Sequence, residues 1–173
     1  EETKTKNLKD AVAPIFEGKP AALEAFDCPT ALNNDKLFVL PGHADLASYE
    51  GQISLAQETA GSLSVMKNLP GALHAFIELV EERHNIDYTL IDLNPGLGAI
   101  NQNFFMASDA FIVPTNPDPF SLMAIGTLGS HLVRWNEWKQ SNFGKFADAD
   151  YPLHQSTPVF LGTLNSRFNK HAS

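Results

Sequence analysis

The chain has 173 residues, of which 43% are hydrophobic and 18% are charged, and its formal net charge is −8. This length allows one domain with a hydrophobic core, and this composition excludes a disordered chain, a collagen-like repeat and a long coiled coil. Residues 1–108 contain 15 acidic and 7 basic residues, and no basic cluster of the kind that binds DNA or anionic membranes is visible.

Cysteine usage and targeting signals predict the compartment. The single cysteine, Cys28, cannot form an internal disulfide, which fits a reducing compartment. No apolar run reaches the roughly 18 residues that a membrane-spanning helix needs, and the charged first residues do not resemble a secretion signal. We therefore expect a cytoplasmic chain without a membrane partner.

Strand-like and helix-like patterns alternate after a first section of short helices over residues 1–36. Apolar runs predict buried strands at Leu37–Leu40, Tyr88–Leu93, Ala110–Thr115 and Pro158–Leu164. Apolar residues at helical spacing predict helices over residues 46–56, which Asp45 would cap, and over residues 69–80, 99–106 and 120–138. This alternation predicts an α/β fold with a mostly parallel sheet flanked by helices.

Loops that follow the carboxyl ends of parallel strands line the ligand crevice in such folds. Asp92 ends a predicted strand, where a buried carboxylate needs water, a hydrogen bond or a cation such as hydrated Mg²⁺. An acid in this place is also a common helix cap or turn residue, and this interpretation stays open. Gly96, close behind it, lets a backbone N–H approach a phosphate.

Two other patterns near strand ends have alternative interpretations. Gly96 and Gly98 could begin a dinucleotide-binding fingerprint, but Asn101 stands where its third glycine is expected. Asn165 ends the last predicted strand, and its side-chain amide could pair with the edge of an adenine while Arg167 stacks on the ring. An ordinary turn with an exposed arginine explains the same residues.

The histidines give no catalytic prediction. His43 and Asp45 are only two candidate metal ligands with no third nearby, so we predict a loop and a cap there. His74, His84 and His131 fit surface or packed positions better than the position of a catalytic base. Nucleophilic hydrolysis has no support, because the chain has no Gly-x-Ser-x-Gly elbow and Cys28 has no recognisable partner.

The ordered segments 88–98, 107–115 and 119–122 together resemble the ParA/MinD family of deviant-Walker ATPases. Residues 37–50 are similar to the strand and helix that precede the family's Walker B strand, and Leu161–Asn165 is similar to its adenine-contacting strand end. The resemblance covers nearly the whole chain, and the segment beginning at Phe120 fits the ParA partition branch better than MinD.

This resemblance implies an ATP-dependent switch with a P-loop NTPase-like fold, which dimerises around ATP and Mg²⁺ and hydrolyses ATP slowly. Asp92 would be the catalytic, magnesium-associated Walker B acid, acting on the metal through water. Pro95 and Gly96 would belong to the γ-phosphate-sensing switch, and Asn165 and Arg167 would contact the nucleotide base. The implied role is plasmid or chromosome partition or intracellular positioning, with a ParB-like protein that stimulates hydrolysis.

The chain departs from the family at its start, because residues 1–36 contain no glycine-rich loop with two lysines. We expect residues 1–173 to be a single ParA-like ATPase domain that is truncated at the N-terminus and also at the C-terminus. A missing first strand would leave a slot beside the strand at Tyr88–Leu93. Non-specific DNA binding would then depend on regions outside this chain.

Two other functions remain open at this point. A natural, non-catalytic relative could use the same scaffold as an interaction module, without nucleotide. A nicotinamide-dependent oxidoreductase would need the weaker fingerprint that starts at Gly96.

Overall fold

The computed structural model describes residues 6–116 and 119–165. The α-helices in these ranges are α1 (Leu8–Phe16), α2 (Glu50–Thr59), α3 (Leu69–His84), α4 (Ala99–Ala107) and α5 (Pro119–Asn142). The strands are β1 (Thr30–Ala31), β2 (Asn34–Phe38), β3 (Ala110–Thr115) and β4 (Val159–Asn165). Short 3₁₀ helices cover Ala44–Tyr49, Ser64–Met66 and Phe143–Phe146.

The main core lies between the first four helices. Val12 of α1, Ile53 of α2 and Phe76 of α3 are fully buried in it. Each of these residues belongs to the apolar face of its helix, and removing such faces from water is the main source of stability in a domain of this size. The predicted helices over residues 46–56, 69–80, 99–106 and 120–138 are thus confirmed, with small changes at their ends.

The start of the helix predicted over residues 46–56 differs from expectation. Asp45 is not its cap: the chain forms a 3₁₀ helix from Ala44, and the ring nitrogen Nδ1 of His43 accepts the N–H of Asp45 at 3.1 Å. The carboxylate of Asp45 instead forms an ion pair with Lys9 at 2.9 Å. This pair connects the start of the helix to α1.

Strands β3 and β4 form a parallel pair, as the sequence predicts. Their register runs from Ala110 opposite Val159 to Thr115 opposite Asn165, with one irregularity between Phe111 and Ile112. Gly162 lies next to that irregularity with φ of 131°, a conformation that favours glycine. The fold class is therefore α/β, with a parallel sheet and flanking helices.

The predicted strand at Tyr88–Leu93 is not a strand in the structure. These residues pair with none of the described strands, and Tyr88 and Leu90 are 90% and 93% exposed. The apolar run is strand-like, but a β-strand exists only where a neighbouring chain satisfies its backbone N–H and C=O groups. Without that neighbour the run lies open on the surface.

The strand predicted at Leu37–Leu40 is only partly correct. Its first two residues belong to β2, which pairs with β1 in an antiparallel hairpin, and Leu37 is half exposed. The run is therefore not buried on both faces, since Val39 is also half exposed. Leu40 still packs against the main core.

A second, smaller core joins α5 to the sheet. Trp135 is buried against Phe105 and Met106, and Phe111 and Trp138 pack around them. The aromatic side chains at this helix end therefore form a core. Among the described residues, no helix combines the length and the apolar character that crossing a membrane requires.

Candidate functional site

Asp92 lies on the exposed segment that precedes α4. Its carboxylate forms no hydrogen bond or ion pair with any described residue. It lines a groove of about 850 Å³ together with other residues that include Asp35, Leu37 and Leu40. An exposed carboxylate with no protein partner is free to meet a hydrated cation, which is the behaviour expected of the Walker B acid.

The groove around Asp92 is acidic. Asp35, Glu81 and Asp87 line it together with Asp92. Among the described residues that line the groove, the one lysine is Lys36. Several carboxylates in one groove favour a divalent cation and oppose a polyphosphate. Phosphate groups would therefore need positive charge from another part of the molecule.

The turn after Asp92 is held by hydrogen bonds. The N–H of Gly96 donates to the carbonyl oxygen of Asn94 at 2.8 Å, and Pro95 between them is exposed. The side-chain amide of the buried Asn101 donates to the carbonyl of Gly96 at 2.6 Å and to the carbonyl of Asn94 at 2.8 Å. The predicted switch residues Pro95 and Gly96 thus lie in a turn that α4 itself stabilises.

Glu50 is a site residue that the sequence analysis missed. Its carboxylate accepts the backbone N–H of Ala99 and, at 3.1 Å, that of Ile100. These N–H groups have no acceptor within the first turn of α4, where the helix dipole also favours negative charge. No local signal could have indicated this cap, because Glu50 precedes Ala99 by 49 residues.

The same contact argues against the dinucleotide fingerprint. In that motif the pyrophosphate occupies the N-terminus of the helix after the strand. Here the carboxylate of Glu50 occupies that position, and a Cβ atom at Gly98 would collide with it. Asn101, at the third fingerprint position, is instead used to hold the turn.

Asn165 lies at the carboxyl end of β4, opposite Thr115 of β3, and its side chain is exposed. Asn165 is not part of the groove lining that contains Asp92. Joint contact of one nucleotide with both residues therefore stays a prediction. Arg167 lies outside the described residues.

Both a protein-family model and a solved structure match this chain. A family model described as an AAA domain, of ParA/MinD-like type, matches residues 3–143. A crystal structure of protein DIP2308 from Corynebacterium diphtheriae has the same fold with a TM-score of 0.68 and 24% identity, covering 92% of this chain and 56% of that one.

Three curated proteins are similar over shorter stretches. The uncharacterized protein MJECL24 of Methanocaldococcus jannaschii is 33% identical over 63% of this chain and 36% of its own length. The virulence plasmid ParA family protein pGP5-D of Chlamydia psittaci is 28% identical, over 40% of this chain and 30% of its own length. The flagellum site-determining protein YlxH of Helicobacter pylori is 33% identical, over 34% of this chain and 20% of its own length.

The chain thus spans little more than a third of the length of the first of these curated relatives, and less of the others. The family match over residues 3–143 covers most of the chain. The chain belongs to the ParA/MinD-type family of P-loop ATPases.

Proposed function

We propose that the protein is an ATP-dependent partition or positioning ATPase, and that this chain supplies its magnesium-associated acid and its switch turn. The observation that carries the proposal is the free carboxylate of Asp92, which directly precedes a turn held by Asn101. A carboxylate that is exposed and unpaired among the described residues can hold a hydrated Mg²⁺ without first losing another partner.

The nucleotide requires more than these residues. Bound ATP with Mg²⁺ provides the phosphoryl group, and enzymes of this class act by positioning it and by stabilising its charge. The acidic groove cannot do this alone, and the 173 residues contain no glycine-rich loop with paired lysines. We therefore place the phosphate-binding residues of the protein outside this chain, in keeping with a single ParA-like domain of which residues 1–173 are a part.

The remaining site roles follow from the ends of the strands. Asn165 would pair with the adenine edge through its side-chain amide, and Arg167 would assist from the position two residues later. Pro95 and Gly96 would sense the γ-phosphate. Because the N–H of Gly96 already donates to Asn94, that contact requires the turn to rearrange.

The partners proposed for the whole protein come from its family. They are a second copy that dimerises around ATP, a ParB-like protein that stimulates hydrolysis, and non-specific DNA that contacts regions outside this chain. The cytoplasm is the compartment in which these partners would meet.

One observation favours a second function, that of a nucleotide-free interaction module. Tyr88 and Leu90 present large apolar side chains to solvent along a segment whose backbone is unpaired with any described strand. Such a segment is a ready template for strand addition by another polypeptide. This alternative predicts stable binding of a protein partner and no binding of ATP.

Calorimetry and ATPase assays on the intact protein distinguish the two functions. The proposal predicts saturable binding of Mg-ATP and a loss of at least tenfold in hydrolysis rate for Asp92→Ala. Asp87→Ala is the matched control, since it removes an exposed acid from the same segment and should keep the wild-type rate. Absence of Mg-ATP binding, or an unchanged rate in Asp92→Ala, would end the proposal.

A further inference from the structure

A cluster of metal-ligating side chains lies away from the predicted nucleotide site. His74 and Glu78 are one turn apart on α3, and His154 lies in the segment that precedes β4. Each of the three offers a ligand atom, and these atoms lie within 4.8 Å of one another. The ring centroids of the two histidines are 4.3 Å apart.

One nitrogen of this cluster is buried without a partner. Nε2 of His74 makes no hydrogen bond with any described residue, although it lies 3.4 Å from a carboxylate oxygen of Glu78. A buried polar atom left in this condition costs free energy, and native proteins rarely keep one without a reason. A cation between the nitrogen and the carboxylate would satisfy both.

The second histidine is supported from behind. Nε2 of His154 lies 3.2 Å from Oδ1 of Asp109 and 2.5 Å from Oγ of Ser156. With Nε2 engaged by these groups, Nδ1 remains available to bind a metal, and a carboxylate behind a ligating imidazole orients it. Asp109 and Ser156 both meet the same ring nitrogen, so the three residues do not have the geometry of a hydrolytic triad.

The charges around the cluster suit a divalent cation. The groups that act electrostatically on His74 include the carboxylates of Glu81 and Asp109 and the ammonium of Lys139. Lys139 donates to the carbonyl oxygens of Met106 and Ser156, so it is held by backbone groups.

We propose that His74, Glu78 and His154 form a binding site for a borderline transition-metal ion, Zn²⁺ above all. Two imidazoles and one carboxylate are a common zinc ligand set, with a fourth position left for water. The separation of 3.4 Å between His74 and Glu78 already matches the ~3.3 Å between ligands that a tetrahedron of ~2.0 Å bonds requires. The ligand atom of His154 lies within 4.8 Å of the other two, so His154 must move closer to them to complete the ligand set.

The position of the site indicates what the ion would do. Asp109 directly precedes β3, and His154 and Ser156 shortly precede β4, so the cluster lies at the amino ends of the parallel strands. Asn165, by contrast, is at their carboxyl ends. A bound ion would link α3 to the segment that precedes β4. It would lie at the opposite end of the strands from a nucleotide bound at their carboxyl ends.

The test is a metal titration of the intact, tag-free protein after treatment with EDTA. We expect one Zn²⁺ per chain by calorimetry, a rise of several degrees in Tm, and tetrahedral Co²⁺ absorption bands that Zn²⁺ abolishes and Mg²⁺ does not. His74→Ala, Glu78→Gln and His154→Ala should each weaken Zn²⁺ binding by at least tenfold. Glu78 is half exposed, so its variant keeps the test valid if a histidine variant fails to fold.

Controls separate this site from others. His131→Ala, on α5, and Cys28→Ala should leave Zn²⁺ affinity unchanged. Asp92→Ala should also keep it, so failure of the nucleotide proposal and failure of the zinc proposal would be seen separately. Absence of saturable binding at one Zn²⁺ per chain would overturn the inference. So would a Zn²⁺ affinity of Glu78→Gln and of His154→Ala that equals the wild-type affinity.

Discussion

The side-chain amide of Asn101 donates to the carbonyl oxygen of Gly96 at 2.6 Å, so the first turns of α4 hold the turn that follows Asp92. The same amide reaches Asn94 through both its backbone and its side-chain oxygen. One buried side chain therefore controls the shape of the proposed switch. Any movement of Gly96 toward a phosphate must break or replace these bonds.

Removing that amide should loosen the turn. Asn101→Ala is expected to lower the free energy of unfolding by about 1–3 kcal/mol, because carbonyl groups lose their donor and a buried side chain is lost. Hydrogen exchange of residues 94–98 should accelerate. Gln102→Ala, on the same helix, is the control and should leave the exchange of the turn unchanged; equal rates in wild type and Asn101→Ala would refute this role.

The cap formed by Glu50 gives a second prediction. Glu50→Gln keeps the shape but removes the negative charge at the start of α4, and we expect a loss of about 1 kcal/mol in stability. Urea unfolding measures this loss. Glu58→Gln changes an exposed acid of the same helix α2 and should shift the midpoint much less. A neutral result for Glu50→Gln would mean that the negative charge of the cap contributes nothing to stability.

Gly71 lies where α3 contacts the segment before β4. A Cβ atom there would overlap the carbonyl oxygens of Tyr151 and Pro152, and backbone atoms cannot move aside as a flexible side chain can. Gly71→Ala should therefore cost about 1–3 kcal/mol or more. Gly129→Ala, in open space on α5, should instead stabilise by about 0.5–1 kcal/mol. Thermal unfolding of both variants tests the packing, and a stabilised Gly71→Ala would contradict it.

Lys139 makes the stability of the protein depend on pH. It is 4% exposed, and burial lowers its pKa to about 8. The unfolded chain, whose lysine has a pKa near 10.4, binds more protons between these two values, so stability rises with pH there. The rise from pH 7 to 9.5 amounts to about 2 kcal/mol from this group.

Denaturant unfolding in EDTA at several pH values checks the contribution of Lys139. The pH-dependent rise should be absent in Lys139→Met and present in Lys36→Met, whose lysine is exposed in wild type. A rise of the same size in Lys139→Met would assign the effect to other groups.

The helices and the parallel pair could be predicted because their signals are local. Apolar residues at helical spacing place Phe76 in the core, and the runs at Ala110–Thr115 and Pro158–Leu164 correspond to the neighbouring parallel strands β3 and β4. The run at Tyr88–Leu93 has the same composition but does not form a strand. Pairing requires a neighbour, and local composition says nothing about whether a neighbour is present.

The site could be predicted only in part for a similar reason. Asp92 and Gly96 were visible because a strand-like run, an acid and a glycine follow each other in the sequence. Glu50 and His154 were not, since each acts on a residue that is distant along the chain. His74 was predicted to be a surface or packed histidine, and it is packed, but its unpartnered nitrogen is visible only in three dimensions.

The most direct test of the central claim asks whether Asp92 holds the metal that accompanies ATP. Mn²⁺ in place of Mg²⁺ allows the affinity to be measured by electron paramagnetic resonance on the intact protein, counting only the Mn²⁺ whose binding depends on ATP. The account predicts at least tenfold weaker Mn²⁺ binding for Asp92→Ala, with Asp87→Ala unchanged. Equal Mn²⁺ affinity in wild type and Asp92→Ala would contradict it.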